Sequence, residues 1–350
     1  MSSRTYGVEG HFFKNARAIY ENLASENRVF PDAFLINDDA DLKYAFEGVP
    51  VEGWLTLEPH GKVIYWGSPL WVESAKRFFS DLVEIREREK FPEYASKKVI
   101  AIDARNPSTF RDLLVKTIEK PILSTHRGLR KIRSIKREDE IEKILRACEI
   151  AVEAFKKFLE KDFREGITER EASQKLKIRL FESGAEQLAF EPIVAFGENT
   201  AYPHHFPADR EYKRGEPAMF DWGAVYRGYH SDITRTINAE KLPWYEVYMK
   251  AFRTALKEAK TGKSASELHK NVEQSLGELA QYFPHGTGHG VGLEIHEIPN
   301  LSEKSTDVLQ ENQVFTIEPG IYKNYGLRIE NTYLLTKNGL NRLCQLPEEI

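Results

Sequence analysis

Cysteine and methionine are scarce in this chain, with two of one and three of the other among 350 residues. The two cysteines, Cys148 and Cys344, stand far apart, which argues against a disulfide framework and for a reducing compartment. Long apolar runs are missing as well. The opening MSSRTYGVEGHFFKNARAIYENL lacks the hydrophobic core of a signal peptide, and no stretch approaches the roughly 20 apolar residues that span a bilayer. Neither sign of charge dominates: 50 Lys and Arg against 54 Asp and Glu leave a formal charge of −4. No basic face therefore offers a footprint for nucleic acid. No repeat, heptad array or low-complexity tract stands out. These absences describe a soluble, cytoplasmic protein with neither nucleic-acid nor membrane partners. What is present is an ordinary globular balance, 41% hydrophobic and 30% charged, in a chain long enough for one large domain or two smaller ones. Abundant Lys and Glu beside so little Met point to a heat-adapted source.

Residues 1–125 read as a small α/β domain. DAFLI (32–36), GWLTLEP (53–59), KVIYWG (62–67) and KVIAIDA (98–104) are short apolar runs bounded by Asp, Gly or Pro, the pattern of strands. Helical pieces lie between and after them at 68–82 and 106–120. A basic, then acidic stretch over 121–140 forms the join. From 126 to 350 the pattern is α+β. Ile141, Ile144, Leu145, Cys148, Val152, Phe155 and Leu159 recur at three- and four-residue steps and give one apolar stripe on a long helix. Capping boxes at Thr168-x-x-Glu171 and Ser264-x-x-Glu267 open two more helices, and another spans 243–260. Strands are expected at 190–196, 217–225, 231–237, 313–322 and 327–336, forming a curved sheet covered on one face.

The chemistry begins in FDWGAVYRGYHSDITRT (220–236), where Asp221 and Asp232 sit on the two arms of a β-hairpin. With the turn between Arg227 and Gly228, Asp221 faces Thr234 and Asp232 faces Gly223. Both aspartates then share a face as diagonal neighbours, about 7–8 Å apart at the backbone. Gly223 leaves a notch between them. Two carboxylates in one water-poor site raise each other's pKa unless a cation intervenes.

More ligand types follow downstream. FPHGTGHGVGLEIHEIP (283–299) holds His285, His289 and His296 among four glycines. VFTIEPGIY (314–322) and GLRIENTYLLT (326–336) each place a glutamate in an apolar strand, Glu318 and Glu330. A loop centred near Asn324 sets these two opposite each other. The set Asp221, Asp232, His289, Glu318 and Glu330 is rich in oxygen and contains no thiolate, unlike a structural zinc site. It suits two divalent ions of the Mn, Co or Fe(II) kind, an arrangement that activates water for hydrolysis.

At these five positions the sequence resembles the "pita-bread" metallopeptidases, which include methionine aminopeptidases, aminopeptidases P and prolidases. The match comprises the Asp-x-Gly hairpin, Asp-Ile-Thr-Arg-Thr, Gly-His-Gly-x-Gly, Ile-Glu-Pro-Gly and Arg-Ile-Glu, in order, across 126–350. Residues 1–125 resemble the smaller α/β domain that creatinases, prolidases and aminopeptidases P carry in front, with Asp41 or a neighbour in place of a usual Asn. Methionine aminopeptidases generally lack that domain, and the chain is most similar to archaeal-type prolidases. The resemblance implies a pita-bread fold, with Asp221 on one metal, His289 and Glu318 on the other, and Asp232 and Glu330 as bridges. It implies catalytic roles for His204, for His296 at the substrate carbonyl, and for Glu318 as proton carrier. It also implies substrate contacts from His285 and Arg328, and a homodimer. The activity implied is cleavage of Xaa-Pro dipeptides by a hydroxide held between the metals. Archaeal-type prolidases place an arginine four residues after the second histidine, and here Asn300 stands instead. Aminopeptidase P activity on longer Xaa-Pro peptides is therefore the alternative. A metal-free peptide-binding module of the same fold is a third reading, opposed by the five intact ligands.

Overall fold

β-Branched and aromatic runs between Gly, Pro and Asp become strands where the sequence places them. The computed structural model describes residues 10–28, 30–96, 98–103, 116, 122–124 and 128–349. The backbone divides into two units, Met1–Arg133 and Ser134–Ile350.

In the first unit, Ala33–Ile36 (β1), Trp54–Leu57 (β2), Val63–Gly67 (β3), Glu84–Glu87 (β4), Ile100–Asp103 (β5) and Ile122–Ser124 (β6) form one sheet, ordered β4-β3-β2-β1-β5-β6. The pairs β1–β2 and β2–β3 are antiparallel and the others parallel, so the sheet is mixed. Trp66, Phe91, Ile100 and Ile102 fill the core on one side. The helix expected at 68–82 spans Pro69–Phe79, with Pro69 in the first turn, where a missing N–H costs nothing. The helix expected at 106–120 falls, Lys116 excepted, outside the described residues. Asp41 is buried and accepts hydrogen bonds from Arg133 Nη1 at 2.6 Å and the Leu129 amide at 3.1 Å. Those bonds gather the chain through Arg133 into this unit, slightly beyond the division at 125 expected from sequence.

The second unit is built from its long helix outward. Glu138–Lys161 begins with three acids in its first turn, which favour the positive end of the helix dipole. Ile144, Cys148, Val152 and Phe155 of the expected stripe are buried, with Ala147, Ile150, Ala151, Ala154 and Phe158 beside them, while Leu145 is exposed. The buried face is thus wider than the expected stripe, extended by three alanines, which let the helix sit close to the sheet. Phe155 stacks on Trp222 with ring centroids 4.0 Å apart, and Trp222 Nε1 donates to the Ala151 carbonyl at 2.9 Å.

Strands Gln187–Leu188 (β7), Ile193–Phe196 (β8), Ala218–Trp222 (β9), Ala224–Tyr226 (β10), Tyr229–His230 (β11) and Ile233–Ile237 (β12) form two small sheets, β12-β9-β8 and β11-β10-β7. Gly288–Gly290 (β13), Glu297–Leu301 (β14), Val314–Ile317 (β15), Asn331–Thr336 (β18) and Gly339–Arg342 (β19) make a third, ordered β14-β13-β15-β18-β19. Gly320–Tyr322 (β16) pairs with Gly326–Arg328 (β17). The helices Tyr245–Glu258 and Ala265–Leu276 bury Tyr248, Phe252, Leu268 and Val272 against Phe315, Ile317, Leu327 and Ile329. Among the described residues, no helix is long and apolar enough to cross a membrane.

Both expected registers are present. Tyr226 pairs with Tyr229 and Asp221 with Thr234, so the hairpin turns at Arg227-Gly228. Both turn residues have positive φ, 47° and 79°, as a two-residue hairpin turn requires. Further along the chain, Tyr322 pairs with Gly326, Gly320 with Arg328 and Ile317 with Asn331, a register that sets Glu318 opposite Glu330.

Candidate metal centre

The hairpin brings its aspartates to one face, and both are buried. Gly223 serves a purpose other than the expected notch. A Cβ there would lie 2.0 Å from the Ser231 carbonyl oxygen, so glycine is what lets the two arms close. Thr234, opposite Asp221, also forms a bridge with Glu330, joining the hairpin to the strand pair that carries the glutamates. Its hydroxyl donates to Glu330 Oε2 at 2.6 Å. Tyr248 pins those strands from behind: its hydroxyl accepts from the Ile329 amide at 2.7 Å and donates to the Pro319 carbonyl at 2.9 Å.

His289 enters from β13. Its Nδ1–H donates to the Gly290 carbonyl at 3.1 Å, which leaves the Nε2 lone pair facing the acids. Nε2 lies 3.5 Å from Asp232 Oδ2 and 3.4 Å from Glu318 Oε1. Ligand atoms of Asp232, His289 and Glu330 all fall within 4.8 Å of one another. Three groups of the kind that ligate metal thus face one another.

The electrostatics follow from this crowding. Burial, and then the charges of Glu330, Asp221 and Glu318, push the Asp232 carboxyl well above the ordinary carboxylate range. Glu330 is raised in the same way by burial, Glu318 and Asp221. Burial lifts Glu318 to about 7 and, with His296 nearby, drops His289 to about 3, so its imidazole is neutral at pH 7. Asp221 Oδ1, Asp232 Oδ1 and Glu330 Oε1 are buried with no hydrogen-bond partner. A buried carboxylate oxygen without a partner is costly, and Asp232 and Glu330, clustered with a bare imidazole nitrogen, fit a cation, whereas Asp221 lies outside that group of three.

Around this cluster lie the remaining residues singled out from sequence. His296 is exposed, its ring centroid 4.3 Å from that of His289. His204 is exposed on the loop after β8, near enough for its charge to act on Asp221. His285 and Arg328 are already engaged within the protein. Arg328 is 3% exposed and donates to Asp221 Oδ2 at 2.5 Å, the Tyr322 hydroxyl at 2.7 Å and Thr234 Oγ1 at 3.2 Å. The Tyr322 hydroxyl in turn meets His285 Nε2 at 3.0 Å. This chain, His285–Tyr322–Arg328–Asp221, braces the first aspartate from behind.

Sequence reading passes over Thr234, Tyr248 and Tyr322. Thr234 is recoverable from the hairpin register, whereas Tyr248 lies on a helix far away in sequence and leaves no local signal. The two cysteines, distant in sequence, meet behind the cluster: both are free and buried, with Sγ atoms 2.8 Å apart and Cys344 Sγ 3.8 Å from the Asp232 carbonyl.

Comparison with known proteins decides the family. Residues 142–337, more than half of the chain, match metallopeptidase family M24. The chain belongs to that family. This M24 metallopeptidase is 36% identical over 333 residues to a Xaa-Pro dipeptidase of Pyrococcus horikoshii, covering 91% of this chain and 94% of the other. The crystal structure of the prolidase from Pyrococcus horikoshii OT3 is similar at a TM-score of 0.86 and 33% identity, covering 96% of this chain and 99% of that one. An X-Pro aminopeptidase from Thermotoga maritima MSB8 is also similar, with a TM-score of 0.80, 29% identity, and coverage of 93% and 99%. The fold is therefore the expected one, a metallopeptidase domain that follows a smaller N-terminal domain in the chain. Metallopeptidases of this family use divalent metal, and the Asp232–His289–Glu330 cluster is where this chain can hold it.

Proposed function

We propose that this M24 metallopeptidase is an Xaa-Pro dipeptidase working with two divalent cations of the Mn, Co or Fe(II) kind. We further propose that it acts as a homodimer in the cytoplasm, as the family resemblance and the two free thiols imply. The observation that carries the reading is the meeting of three largely buried carboxylates, Asp232, Glu318 and Glu330, with the bare Nε2 of His289, which lies 3.4 Å from Glu318 and 3.5 Å from Asp232. The extensive similarity to a Xaa-Pro dipeptidase supports the substrate class.

Asp221, Asp232, His289, Glu318 and Glu330 would hold the metals. Bound there, divalent ions acidify water and polarise the substrate carbonyl. Glu318 takes the proton of the attacking water and passes it to the leaving nitrogen. That nitrogen is proline's, and in the intact substrate it carries no N–H, so the site has no amide donor to read. His296, beside His289 on the open side, donates to the carbonyl oxygen as negative charge builds on it. His204 approaches the substrate from the opposing loop. The brace from His285 through Tyr322 and Arg328 holds Asp221 in place.

The test is a side-by-side assay of Met-Pro and Met-Pro-Ala after Mn or Co loading. The proposal expects cleavage of Met-Pro and sparing of the tripeptide. Cleavage of the tripeptide alone would shift the assignment to an aminopeptidase, and silence toward both would overturn it. One observation favours the aminopeptidase reading: Asn300, paired with His289 across β13 and β14, is neutral where an arginine would meet a free carboxylate.

A further inference from the structure

Glu169 follows the N-cap Thr168, whose hydroxyl accepts from the Glu171 amide at 3.1 Å. A glutamate in the first turn of a helix ordinarily points to solvent and favours the helix dipole. This one is fully buried, at 0% exposure. Each carboxylate oxygen meets two partners. Oε1 accepts from the Phe196 amide at 2.8 Å and from Asn199 Nδ2 at 2.9 Å. Oε2 accepts from the Ala208 amide at 3.0 Å and meets His205 Nε2 at 2.7 Å. The main chain adds a bond from the Glu169 amide to the Arg210 carbonyl at 3.0 Å.

All of these partners lie on one segment, from the end of β8 to Arg210, and that segment carries His204. The opposite side of the loop is held by the Gly326 amide, which donates to Thr200 Oγ1 at 2.8 Å. His204 itself is exposed, with its immediate neighbour tied to the buried acid. A bond that merely started the helix would need one partner. Here a single carboxylate gathers the strand end, the turn at Asn199 and the stretch on both sides of His204.

We propose that Glu169 and His205 are a positioning pair that fixes His204 over the metal-binding cluster. The proposal rests on the role given to His204 in the proposed function. His205 is then a hinge pin whose effect on turnover passes through its neighbour.

A double-mutant cycle tests this on the full-length protein with metal content measured in every sample. His205→Ala is expected to lower kcat toward Met-Pro on the order of 10–100-fold, as a displaced catalytic group does, while bound metal and KM stay unchanged. His205→Gln, whose amide can still donate to Glu169, restores most of the loss. In the His204→Ala background, His205→Ala adds nothing further. Full additivity of the two losses, or loss of metal on His205→Ala, would overturn the proposal. A second readout needs no turnover: amide hydrogen exchange at Phe196 and Ala208 should quicken in His205→Ala and Glu169→Gln but not in His204→Ala. If the wild type cleaves neither peptide, the substrate reading fails on its own. Unchanged exchange in the His205 variant then separately sinks the positioning pair.

Discussion

Asp232→Asn should make the metal-free protein more stable while removing what metal adds. Ligand atoms of Asp232 and Glu330 lie within 4.8 Å of each other in a buried site. At an effective dielectric of ~20, two unit charges at that separation repel by about 3–4 kcal/mol. The metal-free protein avoids part of this by keeping a proton on the acids, which is the meaning of their raised pKa values, at about 1.4 kcal/mol per unit. Asparagine has the same shape without the charge, so the expected gain is about 1–3 kcal/mol. For a folding unit of this size that is a rise in Tm of roughly 2–10 °C. Saturating metal works the other way. At a thousandfold excess over Kd it stabilises the wild type by about 4 kcal/mol, and the variant should lose most of that increment. Calorimetry on chelator-treated protein, with and without Mn, reads both arms. The reasoning is refuted if metal-free Asp232→Asn melts below metal-free wild type, or if the Mn-induced rise survives in the variant.

His296→Ala should keep its metal, since the ring lies beside His289 rather than among the acids, and should lose kcat by about 10²–10³-fold with little change in KM; metal analysis alongside kinetics checks it. The pH dependence of the metal-free protein has a definite sign. Above about pH 6.5 His289, lowered to about 3, is neutral whether folded or unfolded, so only the raised carboxyls matter. Their folded pKa values exceed the unfolded ones, so the folded state binds more protons and stability falls as pH rises through about 7 for Glu318 and beyond for Asp232 and Glu330. Melting curves from pH 7 to 8 should therefore shift down in the wild type and less in Asp232→Asn. Lys136 Nζ lies 2.8 Å from Glu297 Oε2, with side chains only 1% and 2% exposed. Lys136→Met should cost about 3–5 kcal/mol in urea unfolding by removing a cation from a buried acid, and adding Glu297→Leu should return part of that.

The four acids proposed as metal ligands are legible because each sits on a strand pair whose register the sequence reveals. Gly228 marks one turn and the Asn324 region the other, and once those centres are known, period two sets Asp221 with Thr234 and Glu318 with Glu330. What holds them there is not legible. Arg235, which shares a face with Ile233 and Ile237 by period two, is fully buried and donates to the carbonyls of Glu330, Leu346 and Pro347. Those acceptors lie about a hundred residues downstream, beyond the reach of any local pattern. Tyr248 and Glu169 are of the same kind, polar groups whose partners are main-chain atoms of distant segments. The long helix declares itself by its periodicity, but its buried face is wider than the expected stripe. Alanine carries little weight in a hydrophobic stripe, although it is the residue that permits close approach of helix and sheet.

The choice between two-residue and longer substrates turns on how a free carboxylate is met. Arg328 is already committed to Asp221, Tyr322 and Thr234, so it offers little to a ligand. Asn300 is exposed opposite His289, and its main-chain N–H donates to Asp307 Oδ2 at 2.8 Å, which sets a negative charge beside it. A charge-assisted hydrogen bond is worth about 1.5–3 kcal/mol, so its absence should raise KM for a dipeptide by roughly 10–100-fold rather than abolish turnover. Asn300→Arg, at an exposed position with no packing to disturb, should lower KM for Met-Pro by that factor and leave kcat alone. Met-Pro-amide, whose carboxylate is capped, should gain nothing. An equal gain on both substrates would show that the new arginine does not read the carboxylate, and the account of Asn300 would fall with it.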